Sequence, residues 1–425
     1  MEWEVKRYPM YRAGVKQPYS KSVVVGNLIF CSGMDGAAFE TDKVSSNDVA
    51  EQTVIALDKT KDALREAGGT MDNIVRTVIF LKDMQDYDRV RETELEYYQK
   101  HAPLLVDEPP ASRVIQSHSL VRPESLVEID VIGVISRDKP GWEVKKYPMY
   151  YAGVKQPYSK SAVVGNLLFC SGMDGTTLET GKVSSNNTAE QMVVALDKIK
   201  GALREAGGTM DNIIETVILL RDLKDYSRMR ETELEYYHNH ASLLADEPPA
   251  STFIRPASLA KPECLVEIQA TAVVSKEEPG WKMRKYPEYC EGKRQVHPWV
   301  PAGWPHTSKA VVVGNLIIGS GAAARTPKSP ETVGHGIAEQ VQVSLDVIKD
   351  RLEDAGSSMN DVVKNFILLK DIKDYPVMRE AELEFYREHA PRLVEEPPVS
   401  TVIQPYSLAR PDYLVEIDVL GVISR

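Results

Sequence analysis

The chain has 425 residues and a formal net charge of −11, with 43% hydrophobic and 27% charged residues, which is ordinary for a globular protein. This length predicts about three domains at ~150 residues each. The acidic balance argues against a broad nucleic-acid surface, and no apolar run approaches the ~20 residues that a membrane-spanning helix needs.

The sequence repeats itself three times. The segment Trp3–Tyr11 returns as Trp142–Tyr150 and again, in altered form, as Trp281–Pro287. A Pro-Gly turn precedes the second and third copies, and each copy is long enough to hold its own core. The predicted domains are therefore residues 1–139, 140–278 and 279–425.

Within the first copy, hydrophobic periodicity separates strands from helices. Capping residues at Ser46-Asn47-Asp48 open a helix with Val54 on its apolar face, and Gly68-Gly69 ends it. A second helix carries Leu95 near its apolar face. The predicted elements are strands within 22–30 around a turn at Gly26-Asn27, a helix from 48 to 68, a strand over 74–81, a helix over 86–101, and strands near 112–116 and 126–135.

This order, β-β-α-β-α-β-β, predicts an α+β unit in which helices cover one face of a mixed sheet. The other face must also be buried, and three such sheets closing into a central barrel would bury it. The short connections between copies predict units that lie against one another.

The third copy is longer than the others, and its extra residues fall in a Pro-rich stretch near 295–306 that contains Trp304 and His306. Such a loop is either held down by aromatic packing or forms a wall over a ligand cleft, since binding residues concentrate on loops. Both side chains are therefore candidate binding residues.

The four cysteines form neither a CxxC pair nor a disulfide framework, which predicts a reduced, cytoplasmic protein. The N-terminus lacks a basic stretch leading into an apolar segment, so no signal peptide is expected. No phosphate-binding loop, dinucleotide fingerprint or metal-ligand spacing is present, and we expect neither a cofactor nor a metal.

Several motifs, in order and spacing, resemble one known family. Gln17–Lys21 and Val25–Gly33 are similar to the Pro-Tyr-Ser, Val-Gly-Asn and Ser-Gly blocks of the RidA (YjgF/YER057c/UK114) family, and Thr77–Asp83, Pro110-Ala111 and Val127–Ile129 continue the pattern. The resemblance implies chorismate-mutase-like units that form a trimer with outer helices, a central β-barrel and ligand clefts between subunits. Three fused copies imply a monomeric chain folded as an intramolecular pseudo-trimer.

The resemblance also implies an activity, the hydrolysis of small imines and enamines, and a set of site residues. A glutamate in Val-Glu-Ile is associated with the attacking water, and a tyrosine in Pro-Tyr-Ser and the Ser-Gly segment line the cleft. An acid in such an apolar run should be desolvated, which favours proton transfer near neutral pH. The corresponding residues are Glu128, Glu267 and Glu416; Tyr19 and Tyr158; and Ser32, Gly33, Ser171, Gly172, Ser320 and Gly321.

The sequence departs from the family where an arginine after Pro-Ala grips the substrate carboxylate. Serine stands there in every copy, and Arg113, one residue further on, should point to the opposite strand face. Helix two instead offers an arginine that could hold an anionic substrate, or that forms only an exposed i,i+3 pair with a glutamate. These arginines are Arg91, Arg230 and Arg379.

We therefore predict a hydrolase or deaminase that acts on a small imine, enamine or related carbonyl compound in three non-equivalent clefts. One alternative is a Ser/Lys amide hydrolase, because Lys21, Lys160 and Lys309 each follow a serine. Another is a non-catalytic small-molecule-binding protein, and RNA cleavage is a more distant one. The expected partner is a small-molecule substrate, without nucleic acid or membrane.

Overall fold

The computed structural model describes residues 3–278, 280–290, 293–294, 307–325 and 331–423. Within these residues one order of elements occurs three times, and we call the three sets the first, second and third unit. None of the described helices is long and apolar enough to cross a membrane.

The first unit contains eight strands and three helices. They are β1 (Val5–Arg12), β2 (Val15–Val25), β3 (Leu28–Cys31), β4 (Met34–Asp35), α1 (Val49–Glu66), β5 (Ile74–Leu81), α2 (Tyr87–His101), α3 (Leu104–Asp107), β6 (Ala111–Gln116), β7 (Ser119–Leu120) and β8 (Val127–Val134).

The second unit repeats this order without a counterpart of β7 among the described residues. Its elements are β9 (Val144–Tyr151), β10 (Val154–Val164), β11 (Leu167–Cys170), β12 (Met173–Asp174), α4 (Thr188–Glu205), β13 (Ile213–Leu220), α5 (Tyr226–His240), α6 (Ser242–Asp246), β14 (Ala250–Ile254) and β15 (Val266–Val273).

The third unit differs mainly near its start, where two short strands form a separate ribbon. Its elements are β16 (Met283–Pro287), β17 (Tyr289–Cys290), β18 (Lys293–Arg294), β19 (Ser308–Val313), β20 (Leu316–Gly319), β21 (Ala322–Ala323), α7 (Ile337–Asp354), β22 (Val362–Leu369), α8 (Tyr375–His389), α9 (Arg392–Glu395), β23 (Val399–Gln404) and β24 (Val415–Val422).

Local signals place the long helices. Asp48 caps α1, accepting a hydrogen bond from the Ala50 amide at 2.7 Å. The helix ends where Gly68 adopts a φ of +89°, a left-handed conformation that favours glycine. Val54 and Leu95, predicted on apolar faces, are instead exposed, because the buried stripes of both helices run beside them.

In each unit a central strand is parallel to one neighbour and antiparallel to another. β5 lies between β6, which is parallel to it, and β8, which is antiparallel, and β13 and β22 repeat this arrangement. The helices pack on one sheet face and form a separate hydrophobic core in each unit. Apart from β17 and β18, the described strands join one sheet of 22 strands.

Each unit is hydrogen-bonded to both others through equivalent contacts. The amide of a serine donates to a proline carbonyl at 2.9 Å in all three places: Ser159 to Pro110 at the first seam, Ser308 to Pro249 at the second and Ser20 to Pro398 at the third. Strand pairing is recorded at the first and third seams, but no ladder joins β14 to β19 among the described residues. The predicted barrel is thus not closed as a continuous sheet.

The sheet faces turned away from the helices are buried by the other units. One hydrophobic cluster draws on all three units and is centred on Trp3, Trp142 and Trp281, whose rings lie 5.0 to 5.1 Å apart, edge to face. A second shared cluster includes Phe80 and Phe366, which stack at 5.8 Å. These shared cores hold the units in contact.

Candidate functional site

Equivalent sets of side chains meet at the three seams, and each set, which we call a cleft, comes from two units. The first cleft has a cavity of about 160 Å³ and the second of about 110 Å³. The first is lined by Tyr87, Arg91, Ser112 and Arg113 of the first unit and by Tyr158, Gly172 and Glu267 of the second. The second is lined by Tyr226, Arg230 and Ser251 of the second unit and by Thr307, Ser320, Gly321 and Glu416 of the third.

The third cleft joins the third unit to the first through the same kind of contacts. The Ser400 amide donates to the Ser32 hydroxyl at 2.9 Å, and the Gly33 amide donates to the Ser400 carbonyl at 3.3 Å. Arg379 and Tyr19 meet across this seam. Glu128 packs over Gly33, which is hydrogen-bonded to Ser400, the partner of Arg379. The glutamate, arginine and serine predicted from the sequence therefore come together at all three seams.

Each glutamate packs over the glycine of the Ser-Gly segment. A Cβ atom built on Gly33, Gly172 or Gly321 would overlap the carboxylate of Glu128, Glu267 or Glu416, so these positions require glycine for a close approach rather than for a turn. The glutamates are 6–7% exposed. Glycine thus allows each carboxyl group to lie flat against the neighbouring strand.

Burial raises the pKa of all three glutamates to about 8. A nearby acid adds to the effect in each cleft: Asp174 beside Glu267, Asp35 beside Glu128 and Asp418 beside Glu416. Each group is therefore mostly protonated at pH 7 and able to donate a proton.

Arg91 lies in a buried network on α2. Its Nη1 pairs with Glu94 at 2.7 Å, its Nη2 donates to the Ser112 hydroxyl at 2.8 Å, and the two charged side chains are only 8% and 3% exposed. Arg379 repeats these contacts with Glu382 and Ser400. The interpretation as exposed surface pairs is wrong, because the cleft covers them.

The serine that stands where the family has arginine is thus a partner of the helix arginine. In the second cleft the distance from Arg230 Nη2 to the Ser251 hydroxyl lengthens to 3.3 Å, and Arg230 Nε donates to the Tyr226 hydroxyl at 3.3 Å. Arg230 still pairs with Glu233 at 2.7 Å. Arginine and glutamate neutralise each other in every cleft.

Tyrosine from the neighbouring unit completes two of the clefts. Arg91 lies 5.5 Å from the ring centres of both Tyr87 and Tyr158, and Arg379 lies 5.2 and 5.3 Å from those of Tyr375 and Tyr19. The described wall of the second cleft instead presents Thr307 from the third unit. Trp304 and His306, predicted for this wall, lie outside the described residues.

The Ser-Gly hydroxyls are committed to the seams. Ser171 accepts the Ser112 amide at 2.7 Å and donates to the Ser159 carbonyl at 2.5 Å. Ser32 and Ser320 make the equivalent contacts in their own clefts. These serines hold the seam strands and the adjacent glycine in place.

Charged groups that sequence reasoning did not identify surround the glutamates. Asp35 contacts Lys59 at 2.6 Å, Arg122 at 2.5 Å and Arg12 at 3.4 Å. Burial alone would raise the pKa of Asp35, but these three cations hold it well below its usual value. The available signal was a lysine, Lys59, at an apolar position of α1.

The equivalent groups differ from cleft to cleft. In the second unit Lys198 pairs with Asp174 at 2.8 Å. In the third unit that lysine is replaced by Val347, and Arg351 pairs with Glu288 at 3.2 Å instead. The three clefts thus keep one glutamate geometry in three different charge environments.

The lysines of the Ser/Lys alternative point away from their serines. Lys21, Lys160 and Lys309 form ion pairs with Glu66, Glu205 and Asp354. The hydroxyl of Ser159 donates to the Pro109 carbonyl at 2.6 Å, and Ser20 and Ser308 do the same at their seams. Among the residues the structure describes, no group of three or more His, Cys, Asp or Glu side chains has metal-ligand geometry.

A protein-family model described as endoribonuclease L-PSP matches the chain three times, over residues 11–135, 152–274 and 301–423. The 3-aminoacrylate deaminase RutC of Acinetobacter baylyi is 31% identical over 112 residues, which cover 26% of this chain and 82% of that protein. The 2-iminobutanoate/2-iminopropanoate deaminase of Homo sapiens is 32% identical over 121 residues, or 28% of this chain and 82% of that protein. A crystal structure of chorismatase has a TM-score of 0.54 at 13% identity, covering 83% of this chain and 93% of that chain, and shows the fold alone.

Proposed function

Because the chain belongs to the endoribonuclease L-PSP (YjgF/RidA) family, we propose that it hydrolyses a small imine, enamine or related carbonyl compound in the clefts between its units. The observation that carries the proposal is the buried glutamate of each cleft, whose pKa is raised to about 8. The two deaminase relatives support the reaction class.

The proposal includes a pseudo-trimeric arrangement of the single chain. Equivalent serine-to-proline hydrogen bonds at three seams and the mutual contact of Trp3, Trp142 and Trp281 support a pseudo-threefold axis. In this arrangement the strands surround the axis as a barrel-like core, the helices lie outside, and the clefts are the seams between neighbours.

The chemistry follows from the protonation state of the glutamate. Glu267, mostly protonated at pH 7, donates its proton to the imine nitrogen, and the resulting carboxylate accepts a proton from the water that attacks the imine carbon. The same proton then passes to the amine nitrogen as the C–N bond breaks, and the hydroxyl proton of the intermediate returns to Glu267, which regenerates the protonated carboxyl group. Ammonia leaves and the carbonyl compound remains, so imine and water are consumed one for one.

The helix arginines are proposed to bind an anionic substrate through the N–H groups that their protein partners leave free. Glutamate and serine each accept one N–H of Arg91 and of Arg379, and Tyr87 and Tyr375 also hydrogen-bond to these guanidinium groups, so part of each set of five N–H groups remains for a ligand. An arginine that is already paired offers a ligand fewer charge-assisted hydrogen bonds than an unpaired one does. The neighbouring tyrosines, Tyr158 and Tyr19, close the wall.

The Ser/Lys alternative has less support, because the serine hydroxyls donate to carbonyls and the lysines pair with acids on the helices. Non-catalytic binding differs from the proposal in one respect, the absence of turnover. Binding alone needs no proton donor, whereas hydrolysis fails without one.

The test measures the hydrolysis of an imine that is generated in situ. A pyridoxal-phosphate-dependent dehydratase releases 2-iminobutanoate, and semicarbazide traps what has not yet been hydrolysed. We expect the full chain to lower the trapped fraction and a Glu128→Gln, Glu267→Gln, Glu416→Gln triple variant to lose the effect. A chain that neither accelerates imine loss nor responds to these changes, yet shows a ligand-induced rise in Tm, is a binding protein and ends the hydrolase proposal.

A further inference from the structure

A cavity separate from the clefts lies where the three units meet. This inter-unit cavity measures about 90 Å³ and is lined by residues of all three units. The lining includes aromatic rings and six charged side chains. The charged residues are Arg76, Arg113, Asp130, Glu215, Lys364 and Asp418. The volume is enough for several water molecules or for one small ion with water.

Two of the three acids of this cavity are already engaged. Asp130 contacts Lys364 through both oxygens at 2.6 Å and accepts the Thr401 hydroxyl at 2.6 Å. Glu215 accepts the Thr271 hydroxyl at 2.6 Å. Asp130 and Glu215 therefore have hydrogen-bond partners other than Arg113, whereas Asp418 accepts the Thr252 hydroxyl through Oδ2 and leaves Oδ1 without a hydrogen-bond partner among the described residues.

Arg113 is the cation of the cavity with the most unsatisfied donors, since Arg76 lacks a partner only at Nε among the described residues. The Arg113 side chain is 4% exposed, and its Nε and Nη1 atoms are buried without a hydrogen-bond partner among the described residues. Burial and the nearby Arg76 lower its pKa to about 10, so it remains charged at neutral pH. A buried cation without a partner is costly, which makes a counter-ion favourable.

The balance of charge in the cavity favours an anion. Lys364 cancels Asp130, which leaves Arg76 and Arg113 facing Glu215 and Asp418. Burial raises the pKa of Asp418 to about 7, so part of its population is neutral at that pH. The charged side chains of the cavity then carry a net charge of up to +1.

The equivalent positions in the other units explain why there is one site and not three. Thr252 and Thr401 stand where the first unit has Arg113, and they donate to Asp418 and Asp130 at 2.7 and 2.6 Å.

We propose that the inter-unit cavity binds one small monovalent anion, of halide or formate size, through the Nε–H and Nη1–H of Arg113. This site is distinct from the hydrolytic chemistry proposed for the clefts, although Arg113 also borders the first cleft.

Bromide locates the site directly. Crystals of the full chain soaked in sodium bromide should give an anomalous peak inside the inter-unit cavity, within hydrogen-bonding reach of Arg113. A cavity that holds only water overturns the proposal. So does a peak on the other side of Arg113, in the first cleft beside Glu267, because that result assigns the guanidinium to the cleft ligand.

Thermal unfolding tests the same site in solution. At constant ionic strength, replacing gluconate, which is too large for the cavity, by bromide or formate should raise Tm by about 2 °C. Arg113→Met should abolish the rise, and Arg65→Met, at an exposed arginine, should retain it. Should Arg113→Met fail to fold, the bromide map of the unaltered chain decides. A rise that persists in folded Arg113→Met, or no rise in the unaltered chain, contradicts the proposal.

Discussion

A buried glutamate is present in all three clefts, although the charged groups around it differ. Desolvation is the main cause of the raised pKa of this glutamate. The neighbouring acids Asp35, Asp174 and Asp418 have different partners, yet the pKa of each glutamate rises to about 8. Position on the strand, opposite a glycine, therefore determines the property that the proposed chemistry needs.

Replacing Glu267 by glutamine tests the raised pKa through stability. The folded-state pKa of about 8 exceeds the ordinary value of 4.5, so the folded chain binds more protons and the stability from this group is lost as pH rises through 8. Glu267→Gln does not titrate, so it should gain stability relative to the unaltered chain between pH 5 and pH 9, on the order of a few kcal/mol.

Urea denaturation at both pH values measures this difference, with Glu190→Gln, at an exposed site in the same unit, as the control. Equal effects of Glu267→Gln at pH 5 and pH 9 would mean that the carboxyl group is not protonated in the folded chain.

Gly172 is predicted to tolerate no side chain. A Cβ atom there would displace the Glu267 carboxylate, and overpacking of this kind costs about 1–3 kcal/mol. Gly201→Ala on α4, where nothing lies within 4 Å of the new atom, should instead stabilise by about 0.5–1 kcal/mol. Unfolding free energies of the two variants should therefore change in opposite directions; a loss of similar size in both would contradict the close approach.

The sequence allowed Glu267, Arg91 and Tyr158 to be identified, because motif and repetition point to each of them, and the structure brings them together. The ion pair of Asp35 with Lys59 escaped prediction, since burial of a charged pair depends on a tertiary contact that periodicity does not reveal. Arg113 was expected on the opposite face from Ser112, and it does line the inter-unit cavity, but it also reaches the first cleft.

At the scale of the element, α2 shows how one helix serves two purposes. Its Val90 and Tyr98 join the core of the first unit, whereas Arg91 faces the seam. β1 was missed because a bulge between Tyr8 and Pro9 interrupts its alternation, and because a charged residue, Arg12, is buried while an aromatic one, Tyr11, is exposed. A strand of this kind leaves no period of two in the sequence.

Breaking the buried pair on α2 should be costly. Glu94→Gln leaves the Arg91 charge buried without its partner, which typically costs about 3–5 kcal/mol. Asp62→Asn breaks an i,i+3 pair on α1 whose side chains are 49% and 79% exposed, and should cost less than about 0.5 kcal/mol. Urea denaturation compares the unfolding free energies of the two variants. Similar small losses in both would mean that the pair of Arg91 with Glu94 behaves as an exposed surface pair.

At the scale of the whole molecule, contacts between units are more extensive than the links along the chain. The first and second units are joined by a short exposed turn at Pro140-Gly141, yet they share two hydrophobic clusters with the third. Contacts of this extent follow from the repeat, because each sheet leaves one face that only another unit can cover.

Cutting the chain at this turn should not separate the units. A specific protease site introduced at Pro140-Gly141, once cleaved, should leave a particle that elutes like the intact 47.4 kDa chain under native conditions. Denaturing electrophoresis of the same sample should show two fragments. Elution of two smaller species from the native column would contradict the proposed pseudo-trimer.

One repeated position carries an arginine in the first unit, Arg113, and a threonine in the other two, Thr252 and Thr401, and this difference has an evolutionary consequence. In a trimer of identical subunits every mutation occurs in all three subunits, so a change that disrupts one seam disrupts all three. Here a single codon alters a single seam. Selection can therefore change the residues of one cleft while the other two clefts keep theirs.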